Sequence, residues 1–513
     1  MLKIIIFTEY GAFLPVALKL KKEGNDVIVG QIVDQKLTLT KEEKNGAKAE
    51  DAEMKKRRLA LYDGILDKTD AVKLLKSMKK IDPNGYYILT DSNNTFQFTE
   101  VAQKMGFTGL LPDENGRTLE VDREKGKEIV KEHYPDISMM DYHEFKTIEE
   151  GIEFLQDNEN VYCLKSQGDQ GDTVVAKIDD PAIANQQIID TLQKDKASYE
   201  ANGYILEQKI LNAIELTPQA VFWNGKMVYT NLDIETKTMG GHELGYNVGC
   251  GMNLVLKTDV EDKLNKIAFP PYVHDLAKQK NGMFIVDAGL LFDNRTGKAY
   301  FTEFCYQRFG WDCLPAELAM ADSATSYFEK IFKGKNPLVK RFGVGIRLFN
   351  FNKDSDRYPK ADMSISCPKY IEKCLYLYDT KKEDEKIVTV GFQEDLGVIT
   401  AASDTMEDII KESYEYAQKI GFKDLYYRSH EDFISTEYPQ AILNRLKYAV
   451  EKKLIKDDGI LEEIGNLTQF KDRDTMKTSL SLLQNKYDKL YGQFNKNKEL
   501  LSQVKQGIKD ALT

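Results

Sequence analysis

The strongest constraint on the fold is the point at which the hydrophobic period changes. Up to about residue 115, short apolar runs (Lys3 to Phe7, Asp26 to Val29, Tyr86 to Leu89) alternate with helix-period stretches such as Leu14 to Lys22 and Asp70 to Lys79. That alternation describes a small parallel sheet with helices on its faces, residues 1–115. From 116 to 340 the strand period dominates: VYCLKS, TVVAKI, GYILEQKI, TPQAVFWNGKMVYT, GMFIVDAGLLFD and KAYFTEF. A mostly antiparallel sheet with inserted helices fits those runs better than a second doubly wound unit. Residues 341–435 return to strands (VGIRLFNF, KIVTVGF, LGVITAA) and then the amphipathic helix Thr405 to Ile420, a small mixed domain. Residues 436–513 have almost no strand signal and carry a heptad stripe from Leu480 through Leu483, Tyr487, Leu490, Phe494, Asn497, Leu501, Val504, Ile508 and Ala511. The expected class is therefore α/β and α+β multidomain, closed by a helical extension that needs a partner surface, its own domain or a second copy.

Composition narrows the classes. Hydrophobic residues at 42% and aromatics at 10% suffice for buried cores. The net charge of -11 is spread along the chain without a basic block, which argues against non-specific nucleic-acid binding. Six cysteines (Cys163, Cys250, Cys305, Cys313, Cys367, Cys374) have neither paired zinc spacing nor a secreted-domain pattern, and read as reduced thiols in a cytoplasmic protein. The opening MLKIIIFTEYGAF reads as a first buried strand rather than a signal peptide, and no later run is long enough to span a membrane.

The chemistry starts with lysines. Lys127 sits at the start of a helix in DREKGKEIVKEHY, and Lys165 lies inside the strand VYCLKS. A mid-strand lysine must reach solvent or an anion. The next segment, QGDQGDTVVAK, opens with a turn containing Gly168 and Gly171 whose backbone amides can close over phosphates. Glu207 ends an apolar strand whose backbone can meet an adenine edge, and Glu215 can accept from ribose hydroxyls. The segment DIETKTMGGHELGYNVGCGMN, dense in glycine, reads as a loop brought close to a ligand, with Glu235, Lys237, His242 and Asn247 on it. In TEFCYQRFG, Thr302 to Gly310, Glu303 offers an oxygen for a divalent ion and Arg308 a charge for a phosphoryl group in transfer.

The order of these features resembles the ATP-grasp superfamily, and within it the phosphoribosylamine-glycine ligase family of purine synthesis. The resemblance runs over residues 1–435; at its end, Leu396 to Phe433 with its YYR looks like that family's C-terminal domain. It implies ATP and Mg2+ or Mn2+ as cofactors and a lid at about 120–205. Lys127, Lys165, Gly168 and Gly171 would hold phosphates, residues 204–209 including Glu207 the adenine, and Glu215 the ribose. Glu303 would bind the metal, with Arg308, Lys237 and Asn247 serving the reaction. The products would be ADP, phosphate and an amide joining an amino acid such as glycine to an amine.

Three departures stand out. The family's glycine-rich first turn reads FTEYGAFLP here, its GPNTGGMG reads GYNVGCGMN, and its E-x-N-x-R-F-G gains a residue and loses the asparagine. In a regular strand Arg308 would point away from Glu303, so a bulge between them is expected, with the Gln307 amide replacing the asparagine at the metal. Two functions are consistent with this pattern: a ligase whose amine is phosphoribosylamine or another acceptor such as a modified nucleotide, or a nucleotide-binding descendant without turnover.

Overall fold

The computed structural model describes residues 1–40, 44, 50–166, 173–176, 179–242, 244–245, 247–351, 359–430, 433–436 and 438–469. Gly168, Gly171 and the heptad from Leu480 lie outside the described residues. Residues 1–460 form one compact unit and 461–513 a second.

Lys3–Thr8 (β1), Asp26–Gln31 (β2), Thr69–Asp70 (β3), Tyr87–Thr90 (β4) and Thr108–Leu110 (β5) lie parallel in the order β3-β2-β1-β4-β5. β1 is central, and Ile4, Ile5, Ile6 and Phe7 are all buried, which is why its sequence is a continuous apolar run rather than an alternation. Strand order reverses between β1 and β4, and the C-terminal ends of those strands carry Thr8, Glu9, Thr90 and Asp91, all buried.

After the two-residue β6 (Ile137–Ser138), a separate antiparallel sheet forms from Tyr142–Phe145 (β7), Tyr162–Ser166 (β8), Thr173–Val175 (β9) and Tyr204–Gln208 (β10), in the order β7-β10-β8-β9. Helices Ile148–Gln156 and Pro181–Lys194 contribute Ile148, Leu155, Ile188 and Leu192 to its core.

Five long strands come next: Ala213–Trp223 (β11), Lys226–Thr238 (β12), Asn247–Thr258 (β13), Gly282–Asp293 (β14) and Ala299–Tyr306 (β15). β14 pairs antiparallel with β11 and β15 and, through Gly282 and Gly109, parallel with β5, so the first sheet continues into the second. Gly109 has φ +141° and Gly282 φ +121°, and a Cβ on Gly282 would lie 2.5 Å from the Gly109 carbonyl, so this seam demands glycine on both strands. Beyond β13 come Phe342–Phe349 (β16), Ser364–Ile365 (β17), Leu375–Leu377 (β18), Thr380–Glu383 (β19), Lys386–Thr389 (β20) and Asp395–Ser403 (β21). The result is one 14-stranded mixed sheet, with β17, β20 and β19 forming a small third sheet.

The glycine-dense segment is mostly strand, not loop. β12 runs on to Thr238 and β13 restarts at Asn247. Local glycine content misleads here because strand pairing overrides it: β12 is ladder-paired to β11 and β13, and β13 to the distant β16. Helix Ile442–Glu451 packs in the first unit, burying Ile442, Leu443, Leu446 and Val450. Among the described residues no helix is long and apolar enough to cross a membrane. All six cysteines are free thiols.

Candidate functional site

The two lysines singled out in the sequence converge. Lys165 on β8 pairs in register with Ile205, so it shares a face with Glu207, two residues along β10. Lys127, from the helix Arg123–His133, reaches the same carboxylate: its Nζ lies 2.6 Å from Glu207 Oε2, and Lys165 Nζ bonds Oε1. The Lys127 ammonium also stands 3.7 Å from the centre of the Tyr142 ring. Burial favours a neutral Glu207, but Lys165 and Lys127 outweigh it and hold the carboxyl below its usual value. The Glu207 backbone is laddered to β7 and β8 on both sides, and its side chain is the counter-ion to both lysines.

A second group stands on one face of the large sheet. Directly paired residues share a face, so registers place Asp233 beside Thr217, Asn231 beside Gln219, Gln219 beside Asp287, and Asp287 beside Cys305. Glu303, opposite Gly289, is in the next row of that face, and Glu215 and Glu235 continue it on β11 and β12. Lys237 bonds Glu235 and lies 3.6 Å from Glu215. Burial works against its charge, but Glu215, Glu235 and Glu303 together hold the ammonium well above its ordinary value.

Arg308 reaches this face without the expected bulge between it and Glu303. The ladder from Glu303 to Tyr306 is uninterrupted, and the register shift falls before it, leaving Thr302 as the extra residue. What turns Arg308 is Gln307 in the left-handed region, φ +56°, just past the strand end. Arg308 then donates from Nε and Nη2 to Glu120 Oε1 at 2.9 and 2.7 Å, and from Nη2 to Cys305 Sγ at 3.3 Å. Gln307 is corrected as a metal ligand: its Oε1 accepts the Asp113 N–H at 2.8 Å, and its amide packs where a Cβ on Gly116 would sit. Asn247 is exposed, and its Oδ1 accepts the Gly249 N–H at 2.9 Å, a local turn contact.

Sequence reasoning missed Asp287 and Glu120. Asp287 is 6% exposed, and its Oδ1 has no hydrogen-bond partner among the described residues. Burial raises its carboxyl well above the ordinary range, against Arg308 and with Glu317, Glu235 and Glu120. A hard divalent ion fits this donor set: Asp287 and Glu303 supply carboxylate oxygens in adjacent rows of one face, whereas Cys305, a half-buried neutral thiol at the position of the family's asparagine, suits magnesium poorly. An aspartate in the middle of the apolar run GMFIVDAGLLFD was the signal available for Asp287. Glu120 had none, because its partners Arg308, the Tyr306 N–H and Asn93 are distant in sequence.

No protein-family model matches the sequence, and no characterised protein sequence matches it. Solved structures do match. A phosphoribosylamine-glycine ligase from Thermotoga maritima superposes with TM-score 0.58 at 17% identity, over 83% of this chain and 99% of that one. The chain has the ATP-grasp fold. Biotin carboxylase from Campylobacter jejuni gives TM-score 0.52 at 12% identity, over 84% of this chain and 94% of that one. The biotin carboxylase domain of 2-oxoglutarate carboxylase from Hydrogenobacter thermophilus, solved with MgADP, ADP and bicarbonate, gives 0.52 at 11%, over 91% and 99%.

Proposed function

We propose that this chain is an ATP-dependent carboxylate-amine ligase working through an acyl phosphate. The observation that carries the reading is the sheet face on which Asp287, Glu303 and Lys237 gather while Gln307 turns Arg308 inward. Asp287 and Glu303 would hold Mg2+ or Mn2+, which neutralises charge on the nucleotide phosphates when bound. Lys127 and Lys165 exchange Glu207 for ATP phosphates, Glu215 meets the ribose, and Arg308 and Lys237 stabilise the transferring phosphoryl group. A substrate carboxylate oxygen attacks the terminal phosphorus and ADP leaves; the amine then attacks the acyl carbon and phosphate leaves. Catalysis is positioning and charge neutralisation, without a nucleophilic side chain. The domain scheme goes with it: 1–115, 116–340 with the lid at about 120–205, 341–435, and an extension 436–513 whose heptad serves self-association. Six free thiols suit a reducing compartment such as the cytoplasm.

Glycine and phosphoribosylamine, in purine synthesis, are the family's default pair. The polar group at the ends of β1 and β4 favours a second reading, an amine that carries no phosphate. Its amides are consumed internally: the Gly11 N–H donates to Thr8 Oγ1 at 2.9 Å, and the Glu9 N–H to Asp91 Oδ1 at 3.2 Å. Glu9 and Asp91 are carboxylates where a phosphate would need donors, and burial with the nearby Asp91 lifts Glu9 to about 7. The test is ADP release with ATP, Mg2+ and a panel of amino acids against amines, including phosphoribosylamine generated in situ. Turnover with glycine and phosphoribosylamine overturns the second reading. Nucleotide binding with no substrate-dependent ADP release across the panel overturns the ligase reading.

A further inference from the structure

Beside the phosphoryl-transfer face lies a group of side chains that the ligase reading does not use. Ligand atoms of Glu235, Cys250 and Asp312 all fall within 4.8 Å of one another. Cys250 and Asp312 are each 4% exposed. They come from three places: Glu235 from β12, Cys250 from β13, and Asp312 from the residue before the helix Cys313–Met320.

Each is held there by something other than its neighbours' attraction. Cys250 sits where the β12-β13 register breaks, between Gly249 at φ +75° and Gly251, where a Cβ would lie 2.6 Å from the Thr238 carbonyl. Arg347 Nη1 donates to the Val248 and Cys250 carbonyls at 2.6 Å each, fixing that irregular backbone. Arg445 Nη2 holds the Glu235 carbonyl at 2.6 Å, and Arg428 donates to Thr238. Asp312 occupies a helix N-cap position, where an aspartate ordinarily bonds the first-turn amides, yet it makes no side-chain cap bond and turns into the group.

A fourth donor borders the three. Asn253 is paired in register with Glu235, is fully buried, and donates from Nδ2 to Asp312 Oδ2 at 3.2 Å. Its Oδ1 accepts from nothing among the described residues. A buried amide oxygen without a donor costs about 1–3 kcal/mol, so a missing partner is the simplest account of it. Charge counts the same way. Two carboxylates and a thiolate carry three negative charges, balanced by a divalent ion and the Lys237 ammonium that bonds Glu235.

We infer that Glu235, Cys250, Asp312 and the Asn253 amide oxygen form a site for a thiophilic divalent cation of the zinc class. Sulfur with three oxygens at four positions suits zinc or cobalt rather than magnesium, which keeps oxygen ligands and octahedral geometry. Binding replaces the Cys250 S–H bond with a metal–sulfur bond and releases the proton to solvent. The site would tie the β12-β13 arm to the helix start at Asp312. It stands apart from the nucleotide reading, and a chain without ligase turnover would hold the same ion.

The test is titration of chelator-treated full-length protein with Co2+. One equivalent should bind with a near-ultraviolet thiolate-to-cobalt band and tetrahedral visible bands, and Zn2+ should bleach both. Cys250→Ser should abolish the thiolate band, and Asp312→Asn should weaken binding at least about tenfold. Native protein gives a check free of folding defects: Zn2+ should shield one thiol from alkylation, and mass mapping should identify it as Cys250. No thiolate band in the wild type, a band surviving in Cys250→Ser, or shielding of Cys305 or Cys313 in place of Cys250 each overturns the site.

Discussion

Replacing Glu207 by glutamine removes a negative charge from between two ammonium groups and puts nothing in its place. The Glu207 side chain is 3% exposed and meets Lys127, 5% exposed, and Lys165, 10% exposed. Removing one partner of a buried ion pair costs about 3–5 kcal/mol, because the remaining charge stays desolvated. Two charges remain here, so the loss should reach that range unless a lysine sheds its proton or withdraws to water. β10 is an interior strand of its sheet, and the loss falls on its local opening. With tenfold per 1.4 kcal/mol, amide exchange from Tyr204 to Gln208 should quicken about a hundred- to several-thousand-fold. Tripolyphosphate returns a counter-charge to the lysines, and at a hundred times its Kd it adds about 2.7 kcal/mol. It should therefore slow exchange more in Glu207→Gln than in the wild type, where it must first displace the carboxylate. Acid supplies an independent check. Because the folded carboxyl titrates below its usual value of 4.5, its stabilisation is complete above that pH and is lost as pH falls through the folded value. Wild-type protection of β10 should decline in that acid window, and the glutamine variant should lack this decline. Equal exchange in the two proteins at neutral pH, with no gain from tripolyphosphate, would refute the reasoning.

Arg308→Lys should lower turnover about a hundredfold or more, measured as substrate-dependent ADP release, by losing the fork that Glu120 holds. Adding Glu120→Gln to it should cost little further, and fully additive losses would show that Glu120 does not act through Arg308. Burial lifts the Glu317 carboxyl to about 7, against hydrogen bonds from Tyr327, Tyr229 and Asn231. The folded state then keeps a proton that the unfolded state releases, so stability falls by about 3 kcal/mol as pH rises through that window. Glu317→Gln should make the fall of the urea midpoint between about pH 5 and pH 8 shallower, Glu9 keeping its own share; an unchanged slope removes the assignment. Ending the chain after Ser435 exposes the partners of Ile442, Leu443, Leu446 and Val450 and frees the Glu235 carbonyl from Arg445. At about 1.5–3 kcal/mol per buried side chain the loss rivals a domain's whole stability, so the truncated chain should not give a cooperative melt.

The features legible in the sequence are those that local pattern and single side chains control. β1, β4 and the helix Leu14–Lys22 follow from apolar runs and period, and Lys165 was readable because a lysine inside a strand needs an anion. The features that stayed hidden depend on partners far along the chain. Glu207 as counter-ion requires Lys127, 80 residues away, and Glu120 requires Arg308, 188 residues away. The glycine-dense segment reads as loop until β16, whose Gly345 pairs with Asn253, is placed beside it.

The TEFCYQRFG run shows how the same physical need can be met by a different local device. An extra residue before Arg308 had to be absorbed if the guanidinium was to share a face with Glu303, and a bulge was one way to do it. The chain instead keeps the ladder to Tyr306 and places one residue, Gln307, in the left-handed region. That turn also bears on the metal. It carries the Gln307 amide away to the Asp113 N–H, so the amide cannot stand in for the missing asparagine. Under the proposed ligase reading the hard oxygen would come from the strand opposite Cys305, where Asp287 is buried with an unpartnered oxygen among the described residues. On that reading Asp287 follows from the turn at Gln307, and the altered motif would be compensated across the sheet rather than within its own strand.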